Sequence, residues 1–256
     1  MESREDQLDA LAWELAKRRT VVALTGAGIS VDSGIPDFRS AGGLWERFDP
    51  MEYATIEAFE DDPRRVWQMF AELQALVTSA RPNPGHDALA RLEYAGVLDG
   101  IVTQNVDNLH QEAGSRNVVE FHGNGSKLRC LRCDALMEPP AGWEPAAGPP
   151  LCGCGSVLKP DVVLFGEAIP PEALVRAAEL AEGCRAMLIV GTSATVAPAS
   201  LLPLVARRNG ALLIEVNLVP TEITDLCDVA LHDGASRCLP LLADRIDALV
   251  GSLGHA

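Results

Sequence analysis

Residues 24–40 read L-T-G-A-G-I-S-V-D-S-G-I-P-D-F-R-S, and the fold turns on how that stretch is taken. The apolar run Val21-Val22-Ala23-Leu24 enters it as a buried strand, Gly26-Ala27-Gly28 makes a tight turn, and Ala27 to Ser30 can open a helix. That order of strand, glycine turn and helix start lets backbone N–H groups approach a pyrophosphate, with the helix dipole favouring its negative charge. The match to G-x-G-x-x-G is partial, because Val31 stands where a third glycine belongs and the next glycine is Gly34. Alone, the pattern fits a plain tight turn as well as a nucleotide site. Beyond Pro36, however, stand a carboxylate, a ring and a guanidinium, Asp37, Phe38 and Arg39, between small residues. Such side chains on a loop beside a phosphate cradle suit a lid over a bound ligand.

Working outward, Leu8, Leu11, Ala12 and Leu15 recur at helical spacing, and residues 86–94, 170–180 and 235–250 read as further helices. Apolar strands are predicted at 20–24, 99–103, 118–121, 162–165, 186–190 and 212–216. Strands alternating with helices predict an α/β fold, a doubly wound, mostly parallel, Rossmann-like sheet. Two stretches have another texture. From Ala41 to Arg81 the chain carries Trp45, Phe48, Met51, Phe59, Trp67, Met69 and Phe70 in helical pieces, and from Lys127 to Val157 it is dominated by Cys, Pro and Gly. The expected organisation is a Rossmann-like domain from 1–40, 82–125 and 158–256, with a smaller domain made of a helical module, 41–81, and a metal ribbon, 126–157.

The chain has 256 residues, enough for one large domain and a small insert. Its net charge of −15 argues against non-specific nucleic-acid binding and suits basic partners such as lysine-rich segments. The opening M-E-S-R-E-D-Q lacks an apolar core, so no signal peptide is expected, and the uncharged run 186–206 is broken by Gly191, Pro198 and Pro203, unlike a membrane span. These features and the clustered cysteines predict a cytoplasmic protein without membrane attachment.

Cys130-x-x-Cys133 and Cys152-x-Cys154 offer four thiolates on two short turns. Zn²⁺ takes four soft ligands in a tetrahedron, and a closed set of four leaves no position for a reacting water, so the predicted metal is structural. Cys-x-Cys is tighter than the usual spacing, which leaves the geometry of the second knuckle open. Cys184, Cys227 and Cys238 read as core residues.

In a parallel sheet, strand ends share one carboxyl edge, where ligands bind. Asn105 and Asp107 follow one strand, His122 another, Gly191-Thr192-Ser193 a third, and Asn217 a fourth. Each alone is an ordinary turn or capping residue; their convergence with the Gly26 turn makes them site candidates. His86 and His110 lie in helical stretches and read as structural, while His232 and His255 have no context.

G-A-G-I-S-x-x-S-G-I-P-D-F-R, T-Q-N-V-D-N-L-H at 103–110, F-H-G at 121–123 and K-P-D-V-V-L-F-G-E at 159–167 together resemble the motifs of the sirtuins, NAD-dependent protein-lysine deacylases. The resemblance runs from about Thr20 to Ala230. It implies an NAD-dependent protein deacetylase acting on acyl-lysine proteins or peptides, with NAD bound by Gly26, Ala27, Gly28, Ile35, Asp37, Phe38, Arg39, Gln104, Asn105 and Asp107. Gly191, Thr192, Ser193 and Asn217 would meet the adenosine half, and Cys130, Cys133, Cys152 and Cys154 a structural zinc. It further implies that the substrate acyl oxygen attacks C1′ of the nicotinamide ribose as nicotinamide leaves. His122 would be the general base on the ribose hydroxyls, with Asn105 and Asp107 beside it, and Phe38 would keep water out. Val162, Val163, Phe165, Gly166 and Glu167 would pair the substrate backbone as an added strand. The products would be free lysine, nicotinamide and acylated ADP-ribose. A protein ADP-ribosyltransferase would use the same NAD site; a non-catalytic binder would have no need of His122, and a zinc hydrolase would need an open metal. Relatives that prefer succinyl- or malonyl-lysine carry a Tyr and, three residues on, an Arg where this chain has Phe70 and Leu73. An apolar pair cannot hold an acyl carboxylate, so neutral acyl groups are expected.

Overall fold

A computed structural model describes residues 4–39 and 42–253; Ser40, Ala41 and His255, named above, lie outside them. In chain order the main elements are α1 (Arg4–Arg18), β1 (Val21–Thr25), α2 (Pro50–Tyr53), α3 (Ile56–Asp61), α4 (Pro63–Ser79), α5 (Pro84–Tyr94) and β2 (Leu98–Thr103). There follow α6 (Leu109–Glu112), β3 (Val118–Glu120), β4 (Gly123–Cys130), β5 (Leu136–Met137), β6 (Leu158–Val162), α7 (Pro171–Gly183) and β7 (Ala186–Val190). The chain closes with α8 (Leu202–Arg208), β8 (Leu212–Asn217), β9 (Val229–His232) and α9 (Ala235–Leu253).

Six strands form a parallel sheet in the order β3-β2-β1-β7-β8-β9. Alternate side chains of each strand serve opposite faces. Val21 and Ala23 join one core with Leu8, Leu15, Leu89, Leu92, Leu242 and Ile246 from α1, α5 and α9. Val22 and Leu24 join another with Ala177, Ala181, Leu202 and Ala206 from α7 and α8. Helices on both faces explain why β1 and β7 are buried at every position and read as continuous apolar runs. Because the chain leaves β1 towards β2 and leaves β7 towards β8, the order reverses between β1 and β7, and a crevice opens there.

A second, three-stranded antiparallel sheet has the order β5-β4-β6. It shares one apolar core with the helices of 44–79: Trp67, Met69, Phe70 and Leu73 of α4 pack with Leu128, Leu158, Val162 and Leu164. Asp62 caps α4 through its side chain, with Pro63 in the first turn, and Thr55 caps α3.

Three local readings change. Residues 27–33 form a 3₁₀ helix, Ala27–Ser33, and not the start of an α-helix. Gly34, at φ 89°, ends that turn as a left-handed cap, and Val31 is partly exposed, so no helix packs on the sheet where the fingerprint's third glycine would be needed. The expected strand at 162–165 is instead β6, Leu158–Val162, paired antiparallel with β4 in the small sheet. Residues 123–125 and 158–162, read above with the Rossmann-like part, thus supply strands of the other sheet. Finally, β9 escaped the sequence reading because its Val229–His232 run is short and half-buried at the sheet edge.

Candidate active site

At the reversal point two glycine segments touch. Gly26 N–H donates to Val190 C=O at 3.1 Å and Gly28 N–H to Gly191 C=O at 2.8 Å. A Cβ on Gly28 would stand 2.7 Å from Gly191 Cα, and Gly191 itself holds φ +59°. Only glycine allows so close an approach, and it allows the left-handed turn at Gly191 as well. The N–H groups of Gly26 and Gly28 are therefore spent on the sheet, and the two glycines serve close packing of the switch point.

Above this junction lies a cleft of about 1020 Å³ between the strand ends, the 3₁₀ turn, the α4 face and the segment after β6. Every sequence-predicted cofactor residue lines it, from Gly26, Ala27 and Gly28 through Ile35, Asp37, Phe38 and Arg39 to Gln104, Asn105 and Asp107. Gly191, Thr192, Ser193 and Asn217 close its far end. His122 and the predicted substrate segment, Val162, Val163, Phe165, Gly166 and Glu167, line the same space. Residues almost two hundred positions apart meet because the parallel sheet delivers all its strand ends to one edge.

The side chains are held by a dense set of hydrogen bonds. Asn105 Nδ2 donates to Gly26 C=O at 3.1 Å and to Ser30 Oγ at 3.2 Å, while Ser30 O–H donates to Asp107 Oδ2 at 2.7 Å. Leu109 N–H donates to the other Asp107 oxygen at 3.0 Å. Burial pushes the Asp107 carboxyl up from its ordinary value, and the bonds from Ser30 and Leu109 oppose that. At the far end, Gln104 Nε2 donates to Thr192 Oγ1 at 2.9 Å and Asn217 Nδ2 to Thr192 C=O at 3.0 Å. Arg39 Nη1 reaches Ser193 Oγ at 3.3 Å.

His122 Nδ1 lies 3.1 Å from Gln104 C=O. A carbonyl only accepts, so Nδ1 carries the proton and the Nε2 lone pair is left to act as a base. Burial lowers the His122 pKa, partly offset by the Gln104 carbonyl. Burial thus favours the neutral imidazole, whose free Nε2 can accept a proton.

Over the cleft, the Phe38 ring stands 5.0 Å from Trp45, and Trp45 stands 6.3 Å from Phe165. Leu44 N–H and Trp45 N–H donate to Asp37 and Phe38 carbonyls, both at 3.0 Å, so this loop is folded back on itself. On the opposite wall, Val163 N–H donates to His122 C=O at 2.8 Å, and Phe165 N–H to Ala54 C=O at 2.9 Å.

The four ribbon thiols lie within 4.8 Å of one another, with Cys130–Cys154 and Cys133–Cys152 sulfur pairs at 3.6 Å. Zn–S bonds of about 2.3 Å place tetrahedral sulfurs about 3.8 Å apart, so the donor set and its dimensions fit structural zinc. The tight Cys152-x-Cys154 knuckle is closed by Gly155 N–H donating to Cys152 C=O at 2.8 Å, with Gly155 at φ +84°. Cys184 and Cys238 are buried as read, but Cys227 is only partly so.

The sequence pattern of the Sir2 family matches residues 26–198. This chain belongs to the Sir2 family. Among curated Sir2-type relatives, an NAD-dependent protein deacylase of Aeropyrum pernix is 50% identical over 246 residues, 93% of this chain and 97% of the relative. NAD-dependent protein deacylase 2 of Pyrobaculum aerophilum is 47% identical over 235 residues, 91% and 93% of the two chains. A solved Sir2 homologue in complex with NAD superposes with a TM-score of 0.89 at 41% identity, covering 94% of each chain. Sir2Af2 bound to a myristoylated histone peptide gives 0.81 at 37% identity, covering 97% of this chain and 99% of that one.

Two features of this Sir2 chain's cleft go beyond the sequence reading, which placed Phe70 and Leu73 at the acyl end and quoted Ser30 only within its motif. Ser30 holds both Asn105 and Asp107, yet those partners are 75 and 77 positions away. Met69, Phe70, Leu73 and Val77 of α4 line the cleft, although the aromatic and apolar richness of 41–81 reads as core. His86 and His110 are both fully buried, their rings 4.9 Å apart, with His86 Nε2 3.4 Å from Ser30 Oγ and His110 Nε2 2.9 Å from Thr25 Oγ1. Among the described residues, no helix is long and apolar enough to cross a membrane.

Proposed function

We propose that this chain is an NAD-dependent protein-lysine deacylase, a deacetylase first, that releases nicotinamide and transfers the acyl group to ADP-ribose. The observation that carries the reading is the 3.1 Å contact of His122 Nδ1 with Gln104 C=O, which leaves Nε2 free to act as a base in the cleft that also holds Asn105 and Asp107. NAD supplies the electrophilic C1′ once its nicotinamide departs. Since Gly26 and Gly28 spend their N–H groups on the sheet, the pyrophosphate meets the turn from Ala27 onward. Asn105 and Asp107, braced by Ser30, orient the nicotinamide amide against Ile35 and Asp37. His122 Nε2 would take a proton from a ribose hydroxyl, which then attacks the acyl carbon; one water adds afterwards, the lysine amine leaves with a proton, and the acyl ester of ADP-ribose remains. Phe38, tilted against Trp45, would shield the reacting face from water until the acyl oxygen has replaced nicotinamide. Gly191, Thr192, Ser193 and Asn217 hold the adenosine half.

The substrate is an acyl-lysine segment of a protein, laid along residues 162–167. The acyl group then reaches towards Phe70 and Leu73, an apolar surface that disfavours a carboxylate. Cys130, Cys133, Cys152 and Cys154 hold zinc as a closed, structural set, and seven cysteines free of disulfides suit the cytoplasm. The test is turnover of acetyl- and succinyl-lysine peptides, with and without NAD, by the wild type and by His122→Tyr. Acetyl turnover should need NAD and fall at least ~10²-fold in the variant, the range lost with a general base. NAD-independent turnover, or succinyl turnover exceeding acetyl, would overturn the reading.

A further inference from the structure

Lys159 is the only lysine or arginine among the described residues to be buried, at 2% exposure, and no step above uses it. A buried ammonium is costly unless each proton is satisfied. Here three acceptors surround it: Val162 C=O at 2.5 Å, Pro160 C=O at 3.2 Å and Glu167 Oε2 at 3.0 Å. The same Glu167 oxygen accepts Leu164 N–H at 2.7 Å. The ion pair therefore clips together the two ends of the segment that lines the substrate side of the cleft.

Three further N–H groups of that segment are committed within the protein. Val163 N–H goes to His122 C=O, Phe165 N–H to Ala54 C=O, and Glu167 N–H to Leu164 C=O at 3.0 Å. Phe165 C=O in turn accepts Ile56 N–H at 2.9 Å. With these four donors fixed, the segment is held in place as a wall of the cleft, and Lys159 holds it from beneath without lining the cleft. Burial lowers the Lys159 pKa, and the Glu167 carboxylate opposes that.

Resting on the deacylase reading, we propose that Lys159 is a positioning residue for the peptide substrate: through Glu167 and the Val162 carbonyl it fixes the backbone of 162–167 on which the acyl-lysine peptide docks. Among the described residues, no hydrogen bond or ion pair of the Lys159 or Glu167 side chain reaches the adenosine end of the cleft, built on β7 and β8. Loss of Lys159 should thus weaken peptide binding selectively, because an ordering cost the protein meets in advance would fall on the peptide instead.

The experiment is steady-state kinetics of Lys159→Met and Lys159→Arg, varying an acetyl-lysine peptide at saturating NAD and then NAD at saturating peptide. For Lys159→Met the peptide KM should rise about tenfold while the KM for NAD stays within about twofold, and Lys159→Arg should recover most of the loss. An unchanged peptide KM in a folded Lys159→Met protein, or an equal rise for both substrates, overturns the proposal. If Lys159→Met does not fold, the double variant Lys159→Met/Glu167→Met removes both charges, a change that buried pairs often tolerate. A folded double variant with the raised peptide KM supports the role, and one with wild-type peptide KM overturns it. Wild-type protein without NAD-dependent turnover would reject the deacylase reading itself; active wild type with an indifferent Lys159→Met rejects only this inference.

Discussion

At the scale of single residues, the cleft rests on buried polar groups whose protonation is set by their surroundings. Burial lowers the pKa of His86 to about 4 and that of His110, which also feels His86, to about 3, from an ordinary 6.5. A histidine with a depressed folded pKa contributes stability above its unfolded value. That contribution is lost as pH falls from 6.5 towards 4, because the unfolded chain takes up protons that the folded one refuses. For His86 alone the loss by pH 4 is on the order of 3 kcal/mol. The urea midpoint should therefore fall between pH 6.5 and 4, and His86→Gln, which titrates in neither state, should flatten that slope. A wild-type midpoint that is constant across this window would refute the assignment. These histidines were legible as structural, since each sits in a helical stretch. Their partnership with Ser30 and Thr25 was not, because no local pattern joins residues of a helix to those of a distant turn or strand.

At the scale of elements, the sequence was most informative where one period ruled a whole segment. The runs of β1 and β7 are apolar throughout because helices cover both faces, and the helices α1, α5 and α9 show their buried stripes plainly. Reading failed where tertiary pairing decides the state. Val162-Val163-Leu164-Phe165 has strand composition, but pairing with β4 draws the strand back to Leu158–Val162 and leaves the rest as the cleft wall. The turn at Ala27–Ser33 is a seven-residue 3₁₀ helix that Gly34 caps in the left-handed conformation. The small sheet invites a direct test. β5 has only two residues, so its order depends on the four thiols and on the core shared with α4. Metal removal by a chelator should unfold this sheet while most helix signal persists. Trp67, whose Nε1 donates to Leu158 C=O at 3.0 Å and whose ring is 5.0 Å from Trp143, should report it as a red shift in fluorescence. Deacylation should vanish in parallel, since β6 leads into residues 162–167. Chelation that leaves both fluorescence and activity intact would contradict the zinc assignment.

At the scale of the molecule, one sheet edge and one small sheet share a single cleft. Residues 26–28, 105–107, 122, 191–193 and 217 meet there because every parallel strand ends on the same side, and β6 of the small sheet brings 163–167 against them. Motif and strand order made this convergence legible, since each candidate followed an apolar run. The hydrogen bonds that orient the side chains were not legible, because the Nδ1 bond of His122 to the Gln104 carbonyl depends on where two strands end relative to each other. The central claim is that this cleft moves an acyl group from lysine to ADP-ribose. The most direct measurement is the mass of every product in one reaction with ¹³C-acetyl-lysine peptide and NAD. The account predicts nicotinamide, free lysine peptide and labelled acetyl-ADP-ribose in equal amounts. Labelled free acetate without NAD consumption, or a peptide gaining the mass of ADP-ribose, would contradict it.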